Sequence, residues 1–279
     1  YPLEKYIRYH QTSGTTGTPL RVVDTAESWD WWGRCWGAVL RQAGVTSADR
    51  LFFAFSFAPA IGFWSAFHGA TQMGALCIPS GGASTRQRLK MILDTGATVL
   101  LCTPSYALYL AEEARKESIS LKNSSLRVII PAGESGGSVP ATRRRLEEAW
   151  GARVIDHAGA TEVGAWGIGC PEGRGLYVNE DEFIAEILTP SPDQPGELVL
   201  TGLGRGAWPV IRYRTGDLVR PVRETRPDGR SALLLEGGIL GRVDDMVTIR
   251  GLNVYPSAIE EIIRSVPGTA EFQIVASRP

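Results

Sequence analysis

Short apolar runs alternating with longer helix-like segments constrain the fold of this chain more than any other sequence feature. Apolar runs that alternate with helical segments of ~10–15 residues are typical of a parallel sheet covered by helices. The runs lie at 51–57, 75–79, 98–102, 127–131 and 153–156, and helices are predicted at 26–42 (capped by Thr25), 62–74, 84–94, 105–117 and 138–150. We therefore predict an α/β fold with a mostly parallel, helix-covered sheet.

The pattern of apolar and turn-forming residues changes beyond residue 175. Short β-like runs, separated by turns rich in proline, glycine and aspartate, indicate a β-rich subdomain at 176–243. A break near Gly241 precedes a strand–helix–strand pattern at 244–279 that is too short to bury a core of its own. We predict an α/β core at 1–175, the β-rich subdomain, and the start of a small, mobile α+β lobe. Both chain ends are interpreted as truncations of a longer protein.

Net charge, hydropathy and cysteine spacing indicate which partners and which cell compartment to expect. The formal net charge is −1, so no broad basic surface for nucleic acid is expected. No apolar run reaches the ~18–20 residues of a membrane span, so no membrane association is expected. The cysteines form no CxxC pair, which favours reduced thiols in a cytoplasmic protein; they are Cys35, Cys77, Cys102 and Cys170.

A loop rich in hydroxyl groups and glycine lies near the start of the chain, with the sequence TSGTTGTP at 12–19. Its successive backbone N–H groups can form a nest for an anion, and its hydroxyl groups can complete the shell around a polyphosphate. A polar surface turn is the alternative that such a short run leaves open by itself. The candidate phosphate-binding residues are Thr12, Ser13, Gly14, Thr15, Thr16 and Gly17.

A second polar segment, DHAGATE at 156–162, closes the last predicted strand of the sheet, and ligands of such sheets bind at strand ends. Glu162 offers the hard oxygen ligand that Mg²⁺ prefers beside phosphates. Thr161 can donate a hydrogen bond to a phosphate oxygen, and Asp156 can accept one from an exocyclic amine. A solvated loop carboxylate is the alternative for Glu162.

Three further turns carry weaker signals. The glycine-rich AGES turn at 132–135 ends a strand and lets the main chain pack against a flat ring or a phosphate. Asp217 follows the glycine of YRTGD at 213–217, and its two carboxylate oxygens match the vicinal hydroxyls of a ribose; a plain β-turn aspartate is the alternative. The polar junction GRVDD at 241–245 is typical of a hinge between lobes.

Together and in this order, the motifs resemble those of the adenylate-forming superfamily, and most closely the phenylacetate–CoA ligase family. The resemblance spans nearly the whole chain, and GRVDDMVTIRGLNVYPSAIEE at 241–261 is its most specific part. It implies that 12–17 hold the β- and γ-phosphates of ATP. The other roles that it implies are Gly133, Glu134 and Ser135 along the adenine, Asp156 at the adenine amine, Thr161 and Glu162 at phosphate and Mg²⁺, Asp217 at the ribose, Arg242 near the nucleotide and Asp244 at the hinge.

The chain departs from the pattern of that family at three places. Thr18 stands where the loop commonly has a lysine or arginine, so the loop lacks one cation. Ala158 replaces an aromatic residue that stacks on adenine, and His157 beside it is expected to stack instead. The last lysine is Lys122, so the catalytic lysine of the family is expected outside this chain.

The acid substrate is expected between the strands of the large domain and the DHAGATE segment. Apolar and aromatic walls favour an aryl or arylacetic acid; the candidate residues are Phe57, Ile61, Phe63, Trp64, Phe67, Ala160, Gly164 and Trp166. Burial in the core is the alternative for the aromatic residues at 63, 64 and 67. A zinc site formed by His157, Cys102 and Cys170 is a further alternative, although no tight ligand spacing favours it.

The resemblance implies that the protein converts a carboxylic acid and ATP into an acyl-adenylate and pyrophosphate with Mg²⁺, and then transfers the acyl group to CoA. It also implies a homodimer. Two alternatives stay open: an adenylating enzyme that loads a carrier protein or an amine, and a non-catalytic relative that binds nucleotide. A P-loop NTPase is excluded because the loop at 12–19 lacks the GK[ST] ending.

Overall fold

The computed structural model describes residues 1–12, 18–57, 59–189, 191, 194–225 and 229–243, the backbone of 247–249 and 252–254, and residues 259, 262, 263 and 266. None of the helices in these ranges is long and apolar enough to cross a membrane.

A two-stranded hairpin and a long helix begin the fold. β1 (Tyr6–Gln11) pairs antiparallel with β2 (Arg21–Thr25), and α1 (Ala26–Gln42) follows directly. The Thr25 side chain accepts a hydrogen bond from the Ser28 N–H and so caps the start of α1, as predicted. The buried face of α1 includes Trp29, Trp31, Trp32, Trp36, Val39 and Leu40.

Five parallel strands with helices between them form the predicted α/β layer. In chain order they are β3 (Arg50–Phe53), α2 (Ile61–Gln72), β4 (Leu76–Pro79), α3 (Thr85–Asp94), β5 (Val99–Cys102), α4 (Pro104–Lys116), β6 (Val128–Pro131), α5 (Pro140–Trp150) and β7 (Arg153–Val154). The spatial order is β4–β3–β5–β6–β7, and every pair is parallel. Strands β5 and β6 are buried along their whole length, which confirms the parallel sheet expected from the apolar runs.

A seven-stranded antiparallel sheet follows. Its strands are β8 (His157–Ala160), β9 (Gly164–Gly169), β10 (Gly175–Val178), β11 (Phe183–Leu188), β12 (Gly196–Gly202), β13 (Tyr213–Thr225) and β14 (Ser231–Arg242), in the spatial order β11–β12–β13–β14–β10–β9–β8. The sheet begins at His157, well before the predicted boundary at 175. The sequence did not indicate β8 and β9, because they are rich in glycine and alanine and lack a strand-like apolar run. Helix α1 packs against β9 and so joins the two sheets. Farther along, β15 (Val247–Ile249) and β16 (Leu252–Val254) form a hairpin.

An ion pair at the amino end of the parallel sheet ties the start of β3 to the start of β6. Arg127 donates from Nε to Asp49 Oδ1 at 3.1 Å and from Nη2 to Asp49 Oδ2 at 2.6 Å, and Nη2 also donates to the Gly44 carbonyl at 2.8 Å. Burial alone would raise the pKa of Asp49, but hydrogen bonds from Arg127, Thr46 and Thr98 lower it to about 2. The pair lies at the opposite end of the sheet from the cavity described next.

Candidate functional site

A cavity of about 520 Å³ lies where the carboxyl end of the parallel sheet meets the antiparallel sheet. This central cavity gathers segments that are distant in sequence: the AGES turn after β6, the DHAGATE segment after β7, the YRTGD segment at the start of β13, and the end of β14. The predicted site residues that line it are Gly133, Glu134, Ser135, Asp156, His157, Ala160, Glu162, Trp166, Asp217 and Arg242.

Asp156 lines the central cavity just beyond β7. The Ser138 hydroxyl donates to Oδ2 at 2.5 Å, and the His157 N–H donates to Oδ1 at 2.9 Å. Burial raises the pKa of Asp156 to about 6, although these two hydrogen bonds, a third from the Ser138 N–H and the charge of Arg143 favour the ionised form. At neutral pH the side chain is therefore a carboxylate in a fixed orientation, able to accept a hydrogen bond from a ligand.

Replacing Asp156 by asparagine is expected to stabilise the fold above pH 6. Because the pKa rises from 3.8 to about 6 on folding, the ionised form costs free energy in the folded state. That cost grows between about pH 4 and pH 6 and then stays constant. An asparagine oxygen can still accept from the His157 N–H, and its amide can donate to the Ser138 hydroxyl, so these two of the three contacts of Asp156 are kept.

The measurement is the free energy of unfolding in denaturant at two pH values. Asp156→Asn should exceed the wild-type protein by about 2 kcal/mol near pH 7.5 and match it near pH 4. Asp181→Asn, which changes an exposed carboxylate, is the matched control and should show no such pH dependence. A difference between Asp156→Asn and wild type that is the same at both pH values would contradict the expectation.

His157 belongs to the cavity wall, but its imidazole packs into the core. The ring lies 4.1 Å from the Trp36 ring between centroids, and Nδ1 lies 2.9 Å from the Gly167 carbonyl oxygen. Burial lowers the pKa of His157 to about 4, and the Gly167 carbonyl offsets this only in part. The residue is 8% exposed because its ring packs on Trp36, and stacking of this ring on adenine stays a prediction.

Thr161 and Glu162 lie in the turn between β8 and β9. Arg205 Nη1 donates to the Thr161 carbonyl at 2.7 Å and lies 3.4 Å from the Glu162 carbonyl. These contacts hold the turn by its main chain, while the Glu162 side chain lines the central cavity and Thr161 is outside the lining. The Glu162 carboxylate makes no hydrogen bond or ion pair with another residue of the described ranges. Such a carboxylate fits a divalent cation.

Asp217 and Arg242 face each other across β13 and β14. Arg242 Nη1 lies 3.2 Å from Asp217 Oδ1 and also donates to the Thr215 carbonyl at 3.2 Å. Gly216 has a φ of 75° within an irregular part of β13, and a Cβ at this position would lie 2.5 Å from Arg242 Nη2, so this position favours glycine. The arrangement presents the Asp217 carboxylate to the central cavity with a guanidinium beside it.

The remaining predicted ligand residues lie at or beyond the edge of the described ranges. Thr12 is described: its N–H donates to the Leu20 carbonyl at 3.0 Å, and its hydroxyl accepts from the Leu20 N–H at 3.0 Å. These bonds bring together the two ends of the loop at 12–19. The predicted residues outside the described ranges are Ser13, Gly14, Thr15, Thr16, Gly17 and the hinge residue Asp244.

The predicted acid pocket is divided in the structure. Ala160 and Trp166 line the central cavity, whereas Phe57, Trp64 and Phe67 line a separate cleft of about 630 Å³. The structure thus places these residues in two cavities, and their role in binding the acid stays a prediction. The chain turns sharply between β3 and α2, where Phe57 has a φ of 51°, and this turn was not apparent from a continuous apolar run at 51–57.

Three other candidates for the acid pocket are packing residues. Ile61 is 1% exposed, and the Phe63 ring stacks on the ring of Phe55. Gly164 has a φ of 129°, and a Cβ there would lie 2.6 Å from the Trp31 ring. Neither of the two cavities is lined by Ile61, Phe63 or Gly164, and their assignment to the acid pocket stays a prediction.

The zinc alternative has no support in the part of the chain that the structure describes. Within it, no three His, Cys, Asp or Glu side chains are placed to hold a metal ion. Cys102 is buried in β5, and the Cys170 thiol lies 2.8 Å from the Glu172 carboxylate. His157 is engaged with Trp36, as described above.

Sequence reasoning missed several residues around the central cavity. Tyr213 and Thr215 belong to the YRTGD motif itself, and Ser138 follows the AGES turn, so a local signal for these three existed. Burial, together with the nearby charge of Glu162, raises the pKa of Tyr213. Arg205 had no such signal, because its partners lie far away in sequence.

Comparison with known proteins identifies relatives along most of the chain. Residues 6–202 match the family described as AMP-binding enzyme. Phenylacetate-coenzyme A ligase of Pseudomonas putida is 35% identical over 280 residues, which cover 97% of this chain and 62% of that protein. The ligase of the same name from Escherichia coli (strain K12) is 36% identical, over 94% of this chain and 61% of that protein. The chain thus spans about three-fifths of the length of these curated relatives.

A solved structure shows the same fold. The crystal structure of 2-hydroxyisobutyryl-CoA ligase, in the postadenylation state in complex with 2-HIB-AMP, matches with a TM-score of 0.89 and 30% identity. The match covers 96% of this chain and 58% of that one. The chain therefore shares the fold of this solved enzyme over almost its whole length.

Proposed function

The chain belongs to the AMP-binding enzyme family, and on that premise we propose that the protein is an ATP-dependent ligase that joins a carboxylic acid to coenzyme A. An oxygen of the substrate carboxylate attacks the α-phosphorus of ATP, so that an acyl phosphate anhydride forms and pyrophosphate leaves. The CoA thiolate then attacks the acyl carbon of this acyl-adenylate, and AMP leaves with the bridging oxygen.

The charged side chains that line the central cavity are the main support for this proposal. Asp156, Asp217, Arg242 and Glu162 meet there at the carboxyl end of the parallel sheet. A nucleoside triphosphate offers the complementary groups: an amine donor on the base, vicinal hydroxyls on the ribose, and anionic phosphates. In this proposal Asp156 accepts from the amine, Asp217 accepts from the ribose hydroxyls, and Arg242 orients Asp217 from 3.2 Å away.

The phosphate end of the proposed site combines main-chain donors with a divalent cation. Mg²⁺, when bound, neutralises charge on the phosphates and takes oxygen ligands. The Glu162 carboxylate fits as one such ligand, because it lines the cavity and has no described partner. The segment at 12–17 supplies N–H groups and hydroxyls to the terminal phosphates, and the Thr161 hydroxyl is assigned to the same group of donors.

An aryl or arylacetic acid is the proposed substrate. Two of the relatives are phenylacetate-coenzyme A ligases, which supports this class of substrate. The central cavity also has an apolar wall that suits an aromatic ring; its members are Val139, Ala158, Ala160, Trp166, Leu176 and Ile239.

Exchange of radiolabelled pyrophosphate into ATP tests the first step. With the whole protein, Mg²⁺ and a panel of aryl and arylalkanoic acids, we expect exchange only when a cognate acid is present, because the reverse reaction needs the bound acyl-adenylate. Addition of CoA should then yield a thioester and AMP, which mass spectrometry detects.

Other outcomes would favour a different function. Exchange without thioester formation would favour a carrier protein or an amine as acceptor. ATP binding without exchange for any acid would favour a non-catalytic nucleotide-binding protein. Failure to bind ATP at all would contradict the proposed site.

A further inference from the structure

Arg205 and Asp24 form an ion pair in the interior of the protein. Nε donates to Oδ1 at 2.8 Å and Nη2 donates to Oδ2 at 2.8 Å, which is the two-pronged geometry of a guanidinium on a carboxylate. The side chains are 1% and 0% exposed, and the two residues are 181 positions apart. Solvent and salt therefore screen this pair very little.

The third nitrogen of the same guanidinium reaches the turn between β8 and β9. Nη1 donates to the Thr161 carbonyl at 2.7 Å and lies 3.4 Å from the Glu162 carbonyl. The Arg205 Cζ lies 5.1 Å from the centroid of the Trp32 ring, which adds a cation–π contact from α1. Every nitrogen of the side chain is thus engaged, and its plane is fixed.

The partners of Arg205 belong to the two segments that the proposed function places at the phosphates. Asp24 lies in β2, opposite Arg8 of β1, and the chain between these two strands contains the loop at 12–19. Glu162 lies in the turn that Arg205 holds and lines the central cavity. The segment that carries Arg205 is itself docked on α1, since the Ala207 N–H donates to the Ser28 hydroxyl at 2.9 Å.

We propose that Arg205 is a positioning residue for acyl-adenylate formation: it fixes the turn that carries Glu162 relative to the hairpin of β1 and β2. This inference rests on the proposed function. A buried ion pair is not required for stability, because apolar residues of similar volume stabilise a core as well or better. What the pair supplies is orientation, since the planar guanidinium binds both carboxylate oxygens and a backbone carbonyl in one fixed plane, and a lysine ammonium cannot reproduce this two-pronged geometry.

Three variants of the whole protein separate positioning from stability. Arg205→Lys keeps the charge and removes the planar fork. Arg205→Met leaves the Asp24 carboxylate buried without a partner. The double variant Asp24→Leu with Arg205→Met removes both charges and refills the space. Arg127→Lys is the matched control, because Arg127 also makes a two-pronged pair with an aspartate and a bond to a carbonyl, at the far end of the sheet.

The readouts are kcat and KM for ATP in pyrophosphate exchange, the Tm, and hydrogen–deuterium exchange of the peptide that contains 157–166. Arg205→Lys should lower kcat by about 10- to 100-fold with KM changed less than about 3-fold, as expected for misplacement of a group near the reaction centre. The double variant should have a higher Tm than Arg205→Met, yet keep a kcat at least about 10-fold below wild type. Amide exchange at 157–166 should speed up in all three variants and stay unchanged in Arg127→Lys.

Several results would overturn the inference. A double variant that regains both Tm and kcat would show that Arg205 acts only through stability. A wild-type rate in Arg205→Lys, or an equal loss in Arg127→Lys, would remove the specific role. If the wild-type protein shows no acid-dependent exchange, the proposed function fails; amide exchange at 157–166 then still decides whether Arg205 orders the turn.

Discussion

Glu162→Gln is expected to lower the kcat of acid-dependent pyrophosphate exchange by about 100- to 1,000-fold, the range found when one electrostatic contact to a transition state is lost. The substitution keeps the size of the side chain but removes the negative charge that suits a divalent cation. The fold should tolerate it, because Arg205 holds this turn by its carbonyl groups and not by the carboxylate. We therefore expect the Tm to stay within about 2 °C of wild type.

The control for this prediction is Glu148→Gln, which neutralises an exposed carboxylate on α5. It should leave exchange unchanged. A titration with Mg²⁺ adds a second readout: the concentration for half-maximal rate should rise in Glu162→Gln and not in Glu148→Gln. A Glu162→Gln protein with the wild-type rate and Mg²⁺ dependence would exclude Glu162 as a cation ligand.

Asp217→Ala is expected to weaken ATP binding by about 10- to 100-fold, because it removes hydrogen bonds between a charged acceptor and the ribose hydroxyls. The main chain of β13 at this position should keep its geometry. The φ of Gly216 and the hydrogen bond from the Asp217 N–H to the Thr215 hydroxyl do not involve the carboxylate. Isothermal titration calorimetry with ATP measures the loss. The substitution also removes the ion pair between Asp217 and Arg242, whose atoms lie 3.2 Å apart.

Two controls separate recognition of the ribose from the ion pair. Wild-type protein should prefer ATP over 2′,3′-dideoxy-ATP, whereas Asp217→Ala should bind both nucleotides with similar affinity. Arg242→Gln should weaken ATP binding less and keep the preference for ATP. If Asp217→Ala still discriminates between the two nucleotides, the carboxylate does not contact the ribose.

Elements that depend on local physics were predictable from the sequence. Short apolar runs identified the parallel strands, because a strand covered on both faces must be apolar throughout. The start of α1 at Ala26 followed from the capping hydroxyl of Thr25. Among the parallel strands the main error was the end of β3, because the apolar run continues to Phe57 whereas the strand ends at Phe53.

The polar members of the central cavity were predictable for a related reason. Gly133, Asp156 and Glu162 follow strand ends, and the strand ends of a parallel sheet meet at one edge. Asp217 and Arg242 come from the antiparallel sheet, and only their resemblance to a family pattern linked them to the same site. The structure places all five around one cavity.

The direction of individual side chains was not predictable. His157 stands in the same motif as Asp156, yet its ring packs on Trp36 of α1, a contact between distant segments that no local pattern encodes. Phe57 and Trp64 carry the aromatic character expected of an acid pocket, but the turn after β3 directs them to a different cleft.

The sequence by itself determined the fold class, the order of the elements and the set of polar groups offered at the strand ends, since each depends on composition and spacing within a few residues. The tertiary structure alone decided which of those groups share a cavity and what holds them in place. Arg205 is the clearest case: it touches Asp24 and the turn at 161–162 across 181 and more than 40 positions, and no local pattern encodes such a contact. Its geometry exists only after two sheets and a helix have packed around a guanidinium that water cannot reach.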